Sequence, residues 1–267
     1  MINTVILDWA GTTIDFGCMA PVDAFYQAFK KEGIIVTKEE IRLPMGTKKH
    51  DHIMTMLKMP RIAQEWLAVH EQEPTETDIN RIYQTFEDVI FQTLDQYSDV
   101  KLGVLEVVEQ LKAMGISIGS TTGYTSDMMK IVAKVAAEQG YEPDFIATPD
   151  LTKGIGRPAP YMIFHILEHF CTPSVQNVVK IGDTISDIEE GKNAGVFSIG
   201  LIEGSSLAGY SFDEYQQLSE TDKQELDERV REEYYVAGAD AVLDNLAELP
   251  AFIAMLNKKS NECKKSN

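Results

Sequence analysis

The apolar positions of this chain change period twice. Val5-Ile6-Leu7 is an unbroken apolar run followed at once by turn-forming residues, the pattern of a short strand buried in a parallel sheet. After Thr13 the spacing turns helical. Pro21 opens a segment in which Val22, Phe25, Tyr26 and Phe29 recur at three- and four-residue steps, and Gly33 closes it. Thr37 and Glu40 have the spacing of a capping box for a second helix, which Pro44 stops. Helical spacing continues over residues 47–57, 63–71 and 77–96, and no strand pattern interrupts residues 20–96.

From Gly103 the pattern alternates. Helices are predicted over residues 104–114, 126–139 and 160–170, with one more ending at Gly195. Strands are predicted from Ile116, around 145–147, at 178–183, at 196–201 and at 240–243. The acidic stretch 219–235 reads as a solvated surface helix, and the lysine-rich tail from Lys258 reads as frayed. The expected fold is α/β: a Rossmann-like parallel-sheet core formed by residues 1–18 and 98–267, interrupted by an all-helical insertion, residues 19–97.

Composition narrows the function classes. With 267 residues, 44% of them apolar, the chain can build a sizeable core. A formal charge of −18 argues against a nucleic-acid surface, so any anionic ligand must be held by a few local cations. No stretch approaches the roughly 20 apolar residues of a membrane span, and the chain starts directly with a strand rather than a basic segment and an apolar signal. Cys18, Cys171 and Cys263 are an odd set without metal-ligand spacing, as expected of free thiols in a reducing compartment. A cytoplasmic protein with no membrane and no nucleic-acid partner is the expectation.

The candidate chemistry lies where predicted strands end and the next helices begin. Asp8 follows the first strand, and in an open parallel sheet the carboxyl ends of the strands form the ligand crevice. Thr122, Arg157, and Asp183 with Asp187 occupy comparable positions further on. Singly, each has an ordinary explanation: a turn cap, a helix cap, a surface ion pair, loop acids. Together the types are coherent. A carboxylate can attack phosphorus to give an aspartyl-phosphate, hydroxyl and amide donors at a helix start can hold phosphate oxygens, a cation can offset the remaining charge, and acids can bind a hard cation such as Mg²⁺.

The run Ile6-Leu7-Asp8-Trp9-Ala10-Gly11-Thr12-Thr13, the turn Ser120-Thr121-Thr122-Gly123, Gly156-Arg157-Pro158, and Ile181-Gly182-Asp183-Thr184-Ile185-Ser186-Asp187 resemble the four motifs of the haloacid dehalogenase superfamily. The helical insertion resembles that superfamily's first type of cap domain. Within the superfamily, Asp8-Trp9-Ala10-Gly11-Thr12 and Pro44-Met45-Gly46 followed by Lys49, Asp51 and His52 resemble the phosphonatase branch, which splits the P–C bond of phosphonoacetaldehyde during 2-aminoethylphosphonate degradation. The resemblance implies a Mg²⁺ held by Asp8, the backbone carbonyl of Ala10 and Asp183. It implies phosphate contacts from Thr122, Gly123 and Arg157, and a homodimer formed through the caps.

Ala10 is a departure with chemical content. Most phosphatases of the superfamily carry a second aspartate two residues after the nucleophile, which protonates the departing alkoxide; alanine cannot. Lys49 offers another route. An imine between its amine and an aldehyde is an electron sink for a carbon leaving phosphorus, and burial can lower a lysine pKa towards neutrality. Lys48 points about 100° away around a helix, so one of the pair should be solvated, and the spacing from Met45-Gly46 selects Lys49. His52, one turn on, could shuttle protons during imine formation, with Met45 as an apolar wall. Competing readings are a Mg²⁺-dependent phosphatase or phosphomutase acting on a small phosphate ester, and a catalytically dead binding protein. Ala10 speaks against the first, and the intact Asp8, Thr122, Arg157 and Asp183 against the second.

Overall fold

The structure, a computed structural model, describes residues 1–265, with side chains through residue 259. Six parallel strands form one sheet in the order β3-β2-β1-β4-β5-β6: β1 Thr4–Leu7, β2 Ser117–Thr121, β3 Phe145–Ala147, β4 Val178–Gly182, β5 Phe197–Leu201 and β6 Ala241–Leu243. The first strand lies at the centre, paired on one side with β2 and on the other with β4, which explains why Val5, Ile6 and Leu7 are wholly buried. Between β1 and β4 the strand order reverses, the place where open α/β sheets form their ligand crevice.

Residues 19–97 are all helical: α1 Met19–Lys31, α2 Lys38–Arg42, α3 Lys49–Leu57, α4 Pro60–His70 and α5 Glu76–Thr93, then a short 3₁₀ turn at Leu94–Tyr97. The capping box read from Thr37 and Glu40 is present, and α5 has its own at Thr75 and Asp78. Helices α1 and α5 pack along one another around Phe25, Phe29, Ile82, Phe86 and Ile90, all buried. Two linkers join this block to the sheet and run side by side. Ile14 bridges Val100 in antiparallel fashion, and Lys101 N–H donates to Thr13 O at 2.9 Å.

The remaining helices are α6 Val104–Ala113, α7 Ser126–Glu138, α8 Tyr161–His169, α9 Ile185–Ala194, α10 Phe212–Gln216, α11 Glu220–Val236 and α12 Leu249–Lys265. Two expectations are corrected here. The tail expected to fray from Lys258 continues α12 as helix to Lys265; residues 266–267 lie outside the described residues. The acidic helix α11 is not solvated all round: Leu226, Val230 and Tyr234, at four-residue steps, are buried, and Tyr234 O–H donates to Leu201 O at 2.8 Å. No helix among the described residues is long and apolar enough to cross a membrane.

Candidate active site

Asp8 leaves β1 with its backbone still on the ladder, N–H to Ile181 O at 3.1 Å, and the chain then folds back so that Thr13 Oγ1 donates to Asp8 O. Gly11 makes this turn possible. Its φ is +91°, and a Cβ there would sit 2.0 Å from Asp183 Oδ2, so only glycine lets the β1 turn and the β4 turn close on each other. Asp183 directly follows β4, and Thr184 caps α9 through a capping box with Asp187.

The helical block meets these turns through residues 43–48. Gly46, at φ +86°, lies so close to Thr184 that a Cβ would come within 2.3 Å of Thr184 Oγ1; a Cβ on Gly123 would come 3.0 Å from Thr47 O. The narrow cleft between them is lined by Asp8, Ala10, Met45, Lys49, Thr122, Gly123, Arg157 and Asp183, together with Cys18, Pro21, Gly46, Tyr124 and Thr184.

Two candidates lie outside that lining, Asp187 and His52; the histidine is the more isolated. Its ring is fully buried and stacked on Phe25 at 3.9 Å between centroids, and among the described residues neither ring nitrogen has a hydrogen-bond partner of good geometry. Burial and the nearby Lys49 charge push its pKa well below the ordinary histidine value, against the pull of the Ile41 backbone, and so favour the neutral imidazole.

The electrostatics divide into a paired half and an unpaired half. In the first, Arg157 donates to Asp8 Oδ1 (2.6 Å), Glu190 Oε2 (3.0 Å) and Thr121 Oγ1 (2.7 Å), and its Nη1 forms an ion pair with Asp187 Oδ1 at 2.9 Å. Lys180, buried within β4, adds a 2.6 Å contact to Asp187. Burial works against the Arg157 charge, yet Asp187, Asp8 and Glu190 hold its pKa above the ordinary value. Asp187 likewise pays a burial cost but is held below the ordinary carboxylate value by Arg157 and Lys180. Residue-by-residue reading missed Lys180, Glu190 and Thr121. A lysine inside the otherwise apolar Val178-Val179-Lys180-Ile181, and a glutamate three positions after Asp187, were the available signals.

In the second half, burial and then the charges of Asp8 and Asp187 push Asp183 far above the ordinary value; its Oδ2 accepts Ser206 N–H at 2.8 Å, while Oδ1 is buried with no partner. Burial, followed by Asp187, also raises Asp8. Oxygens of Asp8, Asp183 and Asp187 lie within 4.8 Å of one another. Both Asp187 oxygens are already taken, Oδ1 by Lys180 and Arg157 and Oδ2 by Thr184, so it is the least available of the three. The Ala10 carbonyl accepts no hydrogen bond among the described residues. An orphaned buried carboxylate oxygen, a second carboxylate and a free carbonyl form a hard-oxygen set that fits Mg²⁺.

Lys49 is 4% exposed, with Nζ 5.3 Å from the Tyr124 ring centre and 5.8 Å from that of Phe25. It makes no hydrogen bond or ion pair among the described residues. Burial lowers its pKa from the ordinary lysine value, against the pull of Cys18 and Asp8. Its neighbour Lys48 is half-buried instead beside Gly154 and Gly156.

The haloacid dehalogenase-like hydrolase family, which this sheet and its strand-end aspartates define, matches residues 2–195. Over its whole length the chain is 46% identical to a phosphonoacetaldehyde hydrolase of Lysinibacillus sphaericus, covering 99% of that protein, and 45% identical to one of Bacillus cereus over 97% of each. A solved structure of a phosphonoacetaldehyde hydrolase-like protein from Oleispira antarctica superimposes with a TM-score of 0.92 at 38% identity, over 97% of this chain and 93% of that one. A β-phosphoglucomutase of Clostridium difficile, at 17% identity and TM-score 0.68 over 98% of each chain, shares the fold alone. The chain belongs to the phosphonoacetaldehyde hydrolase family of haloacid dehalogenase-like hydrolases.

Proposed function

We propose that the chain hydrolyses the P–C bond of phosphonoacetaldehyde to acetaldehyde and phosphate, with Lys49 as the imine-forming amine and Asp8 as the phosphoryl acceptor. The observation that carries this is a buried amine, without an ion pair among the described residues and with a lowered pKa, on the wall of the cavity that also holds Asp8. Ala10 has no proton to give, so an ester phosphatase would lack its acid here; a P–C bond does not need one if its electrons have a sink.

The residues suggest this sequence of steps. The Lys49 amine condenses with the aldehyde and releases water, giving a protonated imine beside the P–C bond. The free oxygen of Asp8 attacks phosphorus. The P–C electron pair passes into the imine as an enamine, which takes a proton at carbon and is hydrolysed to acetaldehyde, restoring Lys49. Water then releases phosphate from Asp8. Thr122 Oγ1 accepts Tyr124 N–H at 3.1 Å, which leaves its own hydrogen for a phosphoryl oxygen; the Gly123 N–H donates to nothing else among the described residues. Arg157 offsets charge next to Asp8. Met45, Tyr124 and Cys18 keep water from the amine. Mg²⁺ would be held by Asp8, the Ala10 carbonyl and Asp183, and when bound it supplies neutralisation of phosphoryl charge.

The proposal includes the two units of residues 1–18 with 98–267 and 19–97, a cytoplasmic setting and a place in 2-aminoethylphosphonate breakdown, which yields this aldehyde on loss of its amine. It also includes a homodimer through the helical block. The deciding experiment is release of phosphate and acetaldehyde from phosphonoacetaldehyde, with borohydride added during turnover. Irreversible inactivation and an adduct on Lys49 are expected. Turnover without any adduct would exclude the imine.

A further inference from the structure

Arg42 ends α2 in the helical block but spends its guanidinium on two other segments. Its Nη1 donates to Gly17 O at 2.7 Å, in the linker leading to α1, and to Ser206 O at 3.1 Å, in the loop after β5. Nη2 meets Met19 Sδ at 3.3 Å, and Nε is buried with no partner. No carboxylate pairs with it among the described residues. Nη1 alone bridges the two backbone carbonyls on separate segments, and the planar guanidinium, with Nη2 set against Met19 Sδ, holds that nitrogen in place, which a flexible ammonium does poorly.

The loop it grips is the one that orients Asp183. Ser206 is 1% exposed, and its backbone N–H donates to Asp183 Oδ2. Both linkers hold the same loop. Gly17 N–H donates to Gly204 O at 2.8 Å, and Lys101 Nζ spans Glu203 O at 2.8 Å and Gly11 O at 2.7 Å. Arg42 is thus the cap's own contribution to a ledge whose far side faces the Asp183 carboxylate. At the other end of the segment that follows α2, Lys49 enters the cavity.

We infer that Arg42 is a positioning residue that couples the seating of the helical block to the orientation of Asp183, and so to divalent-cation affinity. This rests on the reading of Asp183 as a cation ligand. Seating the block and ordering the carboxylate then favour each other, because the same Ser206 backbone serves both.

Calorimetric titration of the whole chain with Mg²⁺, without substrate, tests this. Arg42→Ala is expected to bind Mg²⁺ about tenfold more weakly, the size of effect seen when a group that orients a metal ligand is lost. Its KM for phosphonoacetaldehyde should rise, while kcat at saturating Mg²⁺ and substrate stays within about threefold of wild type. Arg42→Lys keeps the charge without the fork and should remain at least about threefold weak for Mg²⁺; it decides alone if the alanine variant does not fold. Lys38 also reaches from α2 towards the core, 3.6 Å from Glu214 with both side chains about half exposed, and Lys38→Ala should bind Mg²⁺ as wild type does. Wild-type affinity in the folded Arg42 variants, or equal weakening in Lys38→Ala, overturns the coupling. A wild-type chain that binds no Mg²⁺ overturns the cation reading and this inference with it. One that binds Mg²⁺ without cleaving phosphonoacetaldehyde overturns only the phosphonate reading, since the titration needs no substrate.

Discussion

Lys49 and Lys48 are adjacent and chemically identical, yet only one amine stands in the cavity. The difference is positional: Lys49 is the first residue of α3 and turns inward between Tyr124 and Phe25, whereas Lys48 caps the helix beside the 154–156 loop. Lys49→Ala and Lys49→Arg should lose activity alike, by on the order of 10³-fold or more, because guanidinium retains charge but forms no imine. An active Lys49→Arg would show that charge alone suffices. Lys48→Ala should keep most activity. The pH dependence follows from burial. A lowered pKa means that the free amine exists at lower pH than for an exposed lysine, so the borohydride trapping rate should rise with pH and level off below the ordinary value of 10.5. A rate still climbing through that value would mean that the amine is solvated. Asp8→Asn should abolish turnover while the chain still folds, and phosphate-release assays with melting curves read both.

Among the elements, the turn of residues 43–48 joins cap and core, and it works only because it is small. Gly46 combines a left-handed φ with a contact in which any Cβ meets the Thr184 hydroxyl. Gly46→Ala must lift the turn off Thr184 and Gly123, and the Lys49 amine moves with it. Displacement of about 1 Å at a reacting group can cost about 10²-fold, so kcat/KM should fall by about that factor while the thermal midpoint drops only a few degrees, because α1 and α5 hold the block together independently. Near-normal kcat/KM in this variant would mean that the turn is not seated during turnover. The capping box at Thr184 serves the same geometry, setting where α9 starts beside the cavity.

For the whole molecule, the dominant cost at the site is the burial of Asp8 and Asp183 beside each other and beside Asp187; Arg157 and Lys180 offset that cost for Asp187 and only partly for Asp8, while Ser206 and Lys101 only partly offset it for Asp183. A cation that binds the folded chain and not the unfolded one stabilises by mass action, about 2.7 kcal/mol at 100 times its Kd. For a chain of this size that corresponds to a rise of roughly 5–10 °C in thermal midpoint. Calorimetric melts with Mg²⁺ and with excess EDTA should differ by that amount, and activity should vanish in EDTA and return with Mg²⁺. Asp183→Asn should be less sensitive to Mg²⁺, since it removes one carboxylate from the set. Identical melts in both media would take Asp183 off the ligand list.

Local chemistry was legible in the sequence. The apolar run at Val5-Ile6-Leu7, the helical spacing from Val22 to Phe29 and the capping pair Thr37 and Glu40 each record a preference set within a few residues, and each formed the expected element. The four strand-end motifs and the oddity of Ala10 were legible for the same reason: a backbone turn needs its glycine, and a proton donor is either present or absent. What only the tertiary structure decided are relations between segments far apart in the chain. Lys180 and Glu190 stand out in the sequence only by residue type; that they pair with Asp187 and with Arg157 is set by packing. The spacing of His52 matched Lys49, but Phe25, from another helix, covers its ring. The acidic face of α11 concealed the three side chains that cover the sheet, because their neighbours dominate the composition. Periodicity reports which face of an element avoids water; which groups meet across that face is set by how the elements pack, and in this protein that packing brings an amine on a cap helix to a carboxylate on the central strand.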